Sequence, residues 1–205
     1  IDAISMGICD KLLRVRNASG KAFNIAVKVY GKNCINEIVP NLVKTLHIDG
    51  LKQLLQSPPK ICETMILPYL IDELLIKSGE LEAISLLARD INEYCCTYLN
   101  KYIPDIFKSI CDTVVTRSES EDNIDEELLK YGNKIIIDGV SQECTHLLLI
   151  TCMEYINDDK ISSTHKIVSL SLLSAFVKHT KNDFTENIPS LINGILQLFV
   201  DENTE

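Results

Sequence analysis

The sequence of 205 residues contains no tryptophan, and it has only 5 phenylalanines and 7 tyrosines. A surface that stacks nucleic-acid bases needs exposed aromatic rings at intervals, so this scarcity speaks against one. Glycine and proline are scarce too, at 8 and 6. Strand-rich folds use both residues heavily in tight turns, so a mainly helical chain is expected. No apolar run approaches the roughly 18 residues of a membrane span, and the opening IDAISMGICD has neither a basic n-region nor a cleavage site. No membrane partner and no signal peptide are expected. The sequence also lacks the P-loop, the G-x-G-x-x-G turn, the G-x-S-x-G elbow and H-E-x-x-H. The chain therefore reads as non-catalytic, with no cofactor and no small-molecule substrate.

Hydrophobic residues make up 46% and charged residues 24%, which is enough apolar material for a sizeable core. Eight cysteines raise the question of a disulfide framework. No C-x-x-C pair is present, and most of the cysteines fall inside amphipathic helical patterns, where a free thiol behaves as a small hydrophobe. The chain reads as reduced and cytoplasmic. Cys144, His146 and Cys152 share one helical stretch. Two small hydrophobes and a polar residue on a helix face account for them, and no metal site is expected. The adjacent acids Asp72 and Glu73 do not converge on one substrate position.

The formal net charge of -9 is unevenly spread. Glu119, Glu121, Asp122, Asp125, Glu126 and Glu127 lie together with no base among them. They read as a solvated inter-helix loop or a docking peptide for a basic partner, and Ser118 and Ser120 beside them are candidate phosphorylation sites. The first 32 residues run the other way. Arg14, Lys21, Lys28 and Lys32 recur at seven, seven and four, a spacing that lines one side of a helix. A row of this kind either forms a solvated face or docks on a phosphate backbone such as ribosomal RNA.

One pattern recurs around proline. Ile38-Val39-Pro40-Asn41-Leu42-Val43 is followed by Ile66-Leu67-Pro68-Tyr69-Leu70-Ile71, Tyr102-Ile103-Pro104-Asp105-Ile106-Phe107 and Asn187-Ile188-Pro189-Ser190-Leu191-Ile192. The gaps are 28, 36 and 85 residues, and the last is about twice the period of roughly 40 expected of HEAT or armadillo arrays. Matched positions suggest a tolerated bend in the first helix of each pair. The fold expected is an all-α HEAT/armadillo-like solenoid of about five and a half helix pairs. Its approximate units are 1–32, 33–58, 59–95, 96–139, 140–181 and 182–205, a single segment of a longer array.

Within these units the second helix of the first pair is expected from Leu13 to Tyr30, with Gly31 as its C-terminal cap. Its apolar face reads as Val15, Ala18, Ala22, Ile25, Ala26 and Val29. Later helices are expected at about Cys34–Leu46, Asp49–Gln56, up to Ile76, Glu80–Tyr94, Thr97–Val115, up to Ile137, Val140–Ile156, Ser163–Lys178 and Asp183–Val200. Asn123 with Glu126 reads as a capping box.

Asp10-Lys11-Leu12-Leu13-Arg14-Val15-Arg16-Asn17-Ala18 resembles the D-x-x-x-x-V-R-x-A turn of HEAT repeats. In such arrays Asp10 and Arg16 are expected to join a ladder of inter-repeat ionic contacts. Three further runs resemble late repeats of the general control translational activator family. They are Asp49-Gly50-Leu51-Lys52-Gln53, Ile66-Leu67-Pro68-Tyr69-Leu70, and Ile188-Pro189-Ser190-Leu191-Ile192-Asn193-Gly194-Ile195 with Leu198-Phe199. This resemblance implies a cytoplasmic scaffold that acts with ribosomes. It also implies support for activation of the starvation-responsive initiation factor 2 alpha kinase, through that kinase's N-terminal RWD domain. DNA is not an expected partner. The rival reading is a HEAT or armadillo scaffold of another class, a nuclear transport receptor or a phosphatase scaffold subunit.

Overall fold

The computed structural model describes residues 1–118 and 124–201, with side chains described through residue 197. Among the described residues every regular element is helical. They divide into two compact units, the first over Ile1–Tyr98 and the second from Leu99 onward.

Unit 1 begins with α1 (Asp2–Ile8) and α2 (Leu13–Tyr30). Gly31 ends α2 at φ 57°, a backbone angle that costs glycine little, and its N–H bonds the Val27 carbonyl. Next come α3 (Lys32–Lys44) and the short α4 (Ile48–Leu55). The turn between them is a Schellman motif. The N–H of His47 bonds the Leu42 carbonyl at 2.9 Å and that of Leu46 bonds the Val43 carbonyl at 3.1 Å. Leu46 thus occupies the left-handed position at φ 48°, where glycine is the usual residue. His47 Nδ1 then caps α4 by accepting from the Gly50 N–H at 3.0 Å.

The third pair opens with a continuous helical run over 59–77. It consists of α5 (Pro59–Ile61), a π-helical stretch (Cys62–Ile66), α6 (Leu67–Leu70) and a second π-helical stretch (Ile71–Lys77). Pro68 lacks a donor and its ring crowds the preceding turn. Wider i→i+5 turns on both sides make room for it. Helix α7 (Leu81–Leu99) completes the pair. In unit 1, α2 packs on α1, α3 and α4, and α3 packs on α4 and on the stretch at Cys62–Ile66. Ile8, Phe23, Ile38, Leu42, Leu51, Leu54, Leu67 and Leu70 are sealed between them.

Unit 2 holds α8 (Ile103–Arg117), α9 (Glu126–Gly139), α10 (Gln142–Asn157), α11 (Ser163–His179) and α12 (Ile188–Asp201). First helices stack on first helices, α8 on α10 and α10 on α12, while α9 stacks on α11. Phe107, Ile110, Leu149, Val168, Leu172 and Phe176 fill the core. Together the described residues give five helix pairs and one further helix, an all-α fold.

Several sequence expectations are corrected. The buried side of α2 is not the stripe over Val15, Ala18, Ala22, Ile25, Ala26 and Val29. Phe23 and Val27 are buried with Ala26, whereas Ile25 and Val29 are 64% and 68% exposed. One Phe carries far more apolar area than several alanines, so Phe23 sets the rotation of the helix. A mid-helix position, which the expected bend at each recurring proline requires, is found for Pro40, inside α3, and for Pro68 between its π turns. Pro104 and Pro189 instead fall in the first turns of α8 and α12, after the 3-10 turns Asn100–Tyr102 and Thr185–Asn187. There the missing N–H has no partner to lose. Pro104 thereby marks a boundary, so α7 runs to Leu99 rather than Tyr94 and α8 starts at Ile103 rather than Thr97.

Glu119, Glu121, Asp122, Ser120 and the expected cap Asn123 lie outside the described residues. The cap of α9 is Asp125, whose Oδ1 accepts from the N–H groups of Glu127 and Leu128 at 3.0 Å each. The Asp125 N–H donates to Ser118 Oγ at 3.0 Å, and that hydroxyl donates to the Val114 carbonyl at 2.7 Å.

Candidate functional site

Helix α2 carries the basic row. Arg14, Lys21 and Lys28 are exposed, and their seven-residue spacing keeps them on one side. The fourth member, Lys32, is also exposed but belongs to α3, because the turn at Gly31 (φ 57°, ψ -137°) separates the two helices. The row on α2 is therefore three residues long. The eighteen residues of α2 include no Asp or Glu.

Asp10 and Arg16 meet, but not carboxylate to guanidinium. Asp10 Oδ1 accepts from the Leu12 N–H at 2.7 Å. Arg16 Nη1 donates to the carbonyl oxygens of Asp10 and Lys11 at 2.9 and 3.0 Å. The carboxylate facing Arg16 is that of Asp49 on α4, with Nη2 to Oδ2 at 3.5 Å. One helix pair further on, Lys52 Nζ of α4 lies 3.7 Å from Asp90 Oδ2 of α7. Sequence reasoning missed Asp49, Lys52 and Asp90 as partners. Asp49 and Lys52 sit just after a helix turn, as Asp10 and Arg16 do, and that parallel was a usable signal. Asp90, deep inside α7, had none.

The remaining candidates do not assemble into a reaction centre. Cys144 and Cys152 are buried while His146 is exposed, and His146 Nδ1 lies 2.6 Å from Asn187 Nδ2. Asp72 and Glu73 both pair with Lys77. A polar cavity of about 290 Å³ is lined by Gln142, Thr145, His146, Asp183, Thr185 and Asn187, among others. Its wall is a strap between α11 and α12. Gln142 exchanges two 2.7 Å bonds with the backbone of Asp183, and Asn182 Nδ2 donates to Thr145 Oγ1 at 2.8 Å and to the Val140 carbonyl at 3.1 Å. The carboxyl of Asp183 is held below its ordinary range by bonds from the Thr185 hydroxyl and N–H.

In the second unit, Asp112 Oδ1 takes a bond from the Tyr155 hydroxyl at 3.2 Å and lies 3.3 Å from His165 Nε2. His165 Nδ1 lies 2.7 Å from Ser162 Oγ, which caps α11. This chain of bonds ties the α10–α11 turn to α8. All eight cysteines are free thiols, and Cys34, Cys62, Cys95, Cys111, Cys144 and Cys152 are buried. No helix among the described residues is long and apolar enough to cross a membrane.

Residues 66–205 match the family model described as stalled ribosome sensor GCN1-like, HEAT repeats. The human stalled ribosome sensor GCN1 is 22% identical over 210 residues, covering 96% of this chain and 7% of the human protein. The Dictyostelium discoideum eIF-2-alpha kinase activator GCN1 is 26% identical over 250 residues, covering 100% of this chain and 9% of that protein. The Saccharomyces cerevisiae eIF-2-alpha kinase activator GCN1 is 24% identical over 211 residues, covering 99% and 8%. The chain thus spans less than a tenth of the length of these relatives. No solved structure matches. With more than half its residues matched, the chain belongs to the stalled ribosome sensor GCN1-like HEAT-repeat family.

Proposed function

We propose that the chain is a scaffold of translational control that works by contact, in the cytoplasm, and carries no catalytic step. The observation that carries this reading is the family match over 66–205, together with relatives named as a stalled ribosome sensor and as eIF-2-alpha kinase activators. The stacked helix pairs suit the role, because each pair offers its outer side chains to a partner while its neighbours hold it in place. In this reading the ion pairs Arg16–Asp49 and Lys52–Asp90 are an inter-repeat ladder, one rung per step. The repeat units keep the bounds at 58, 139 and 181, while those at 32 and 95 move to 31 and 99, where α2 with its cap and α7 end.

The scaffold acts with ribosomes and supports activation of the initiation factor 2 alpha kinase by holding its RWD domain. The test is a pull-down of the chain with that RWD domain at low and moderate salt. Retention at both salts, weakened by charge reversal on the contacting helices, supports kinase docking here. No retention by this chain, with retention by a longer stretch of the parent protein, moves docking out of these repeats.

A further inference from the structure

On α2, Arg14, Asn17, Lys21, Asn24 and Lys28 follow one another at three, four, three and four residues, and so share one helix face. Asn17 and Asn24 fall between the cations along one edge, and Ala18 and Ile25 along the other. Arg14, Asn17, Lys21 and Lys28 are exposed. Among the described residues none of the three cations is in an ion pair. Asp49, the carboxylate that approaches α2 from α4, is taken by Arg16.

A second helix reaches the edge of this face. There α4 lays Gln53 against the bare backbone of Gly20, where a Cβ would sit 2.7 Å from Gln53 Nε2. That amide donates to Gln56 Oε1 at 3.4 Å, and Gln56 is exposed. The glycine lets a second helix add its amides to the edge of the cationic face.

We propose that this face, α2 with the amide edge of α4, seats the sugar-phosphate backbone of RNA. The inference rests on the ribosome-directed reading above and narrows it to one surface and one chemistry. Consecutive cations stand about 10 Å apart along α2, and the row extends over about 21 Å, long enough to follow several phosphates. Lys and Arg release counterions from the backbone, and amides bond phosphate oxygens and 2′-hydroxyls. The aromatic residues of α2 are Phe23, which is buried, and Tyr30 at its last turn. The contact therefore reads shape and charge, not base identity. The exposed aliphatics Ile25 and Val29 lie along one edge of the row, and the amides along the other edge are the groups that a phosphate backbone would use.

The test is fluorescence anisotropy with the 205-residue chain and a fluorescein-labelled RNA hairpin of twenty nucleotides, between 25 and 200 mM KCl. The hairpin and a sequence-scrambled hairpin should bind equally, with log K falling linearly as log salt rises. The variant R14E/K21E/K28E should weaken binding and reduce that slope by about 2–3. The control K160E/K178E/K181E makes the same charge change on exposed side chains elsewhere and should keep the slope. Circular dichroism melts of both variants establish that they fold.

Equal losses in both variants overturn the proposal, since net charge alone would then explain binding. Tighter binding of labelled polyglutamate than of the hairpin overturns it in favour of an acidic protein partner. If the chain binds no hairpin yet is retained by the RWD domain, the RNA seat falls and the scaffold reading stands. If it binds the hairpin through α2 but is not retained, the kinase arm falls and the RNA seat stands.

Discussion

The guanidinium of Arg16 bridges two consecutive helix pairs, with its Nη2 lying 3.5 Å from the Asp49 carboxylate while its Nη1 closes the turn behind it. The Arg16 side chain is only 14% exposed, against 60% for Asp49. Removing the arginine leaves the Asp10 and Lys11 carbonyls without their donor. Arg16→Ala should therefore cost about 1–3 kcal/mol, whereas Asp49→Asn should cost under about 1 kcal/mol. Arg16→Lys should recover little, because an ammonium cannot present a planar fork to three oxygens. Urea unfolding of the three variants checks the order, and equal losses at positions 16 and 49 would refute it.

Two glycines in second helices should answer oppositely to alanine. At Gly132 a Cβ would lie 2.6 Å from Ile110 Cγ2 and 3.3 Å from Leu172 Cδ2, both fully buried. Gly132→Ala should lose about 1–3 kcal/mol through overpacking. At Gly20 the obstacle is the side chain of Gln53, which is half-buried and free to swing outward. Gly20→Ala should be neutral or gain up to about 1 kcal/mol of helix propensity. Thermal melts of the pair decide it.

Alkylation should sort the thiols by position. Cys9 and Cys96 are half-exposed and should react first with iodoacetamide in native buffer. The six buried thiols should react only after denaturant is added, which peptide mass spectrometry would read directly. Early labelling of Cys111 or Cys152 would mean that the core of unit 2 opens.

Stability should fall at alkaline pH. Burial pushes the Cys111 thiol up to about 12 from an ordinary 9.0, and it pushes Cys152 and the Tyr155 phenol upward as well. Each group holds its proton in the folded chain and loses it more readily when unfolded. Their contribution is complete below about pH 9 and is lost as pH climbs towards the folded values. Denaturation midpoints at pH 8, 9.5 and 11 should decline in that order. Cys111→Ala should flatten the decline, although its cavity lowers stability at every pH.

Element boundaries were legible wherever a residue with one strong backbone preference marked them. Leu13–Tyr30 could be read because Gly31 ends the helix, and the run to Ile76 because Gly79, at φ 59°, breaks the chain. Rotation about the helix axis was less legible. In α2 the small residues Ala18 and Ala22 extend the apolar stripe without adding much area, and Phe23 alone outweighs them. Proline misled for a related reason. The same context of a β-branched aliphatic before proline serves mid-helix at Pro40 and in a first turn at Pro104, and the sequence does not say whether a donor is needed there. Of the candidate surface, the three cations of α2 were visible as a heptad spacing. Gln53 was not, because its place beside Gly20 depends on how α4 crosses α2, a tertiary fact with no local signature.

The π-helical stretches within 59–77 make the length of unit 1 adjustable at one place. A π turn closes its hydrogen bonds one residue later than an α turn. A residue deleted within Ile71–Lys77 can be absorbed by rewinding that stretch as α-helix, leaving Gly79 and α7 where they stand. The same deletion in α8, already wound as α-helix over Ile103–Arg117, would turn every later side chain by about 100° and carry Ile110, Cys111 and Val114 out of the core. Slack in the chain is thus stored beside Pro68, in a helix that can shed a residue and still deliver its neighbour in register.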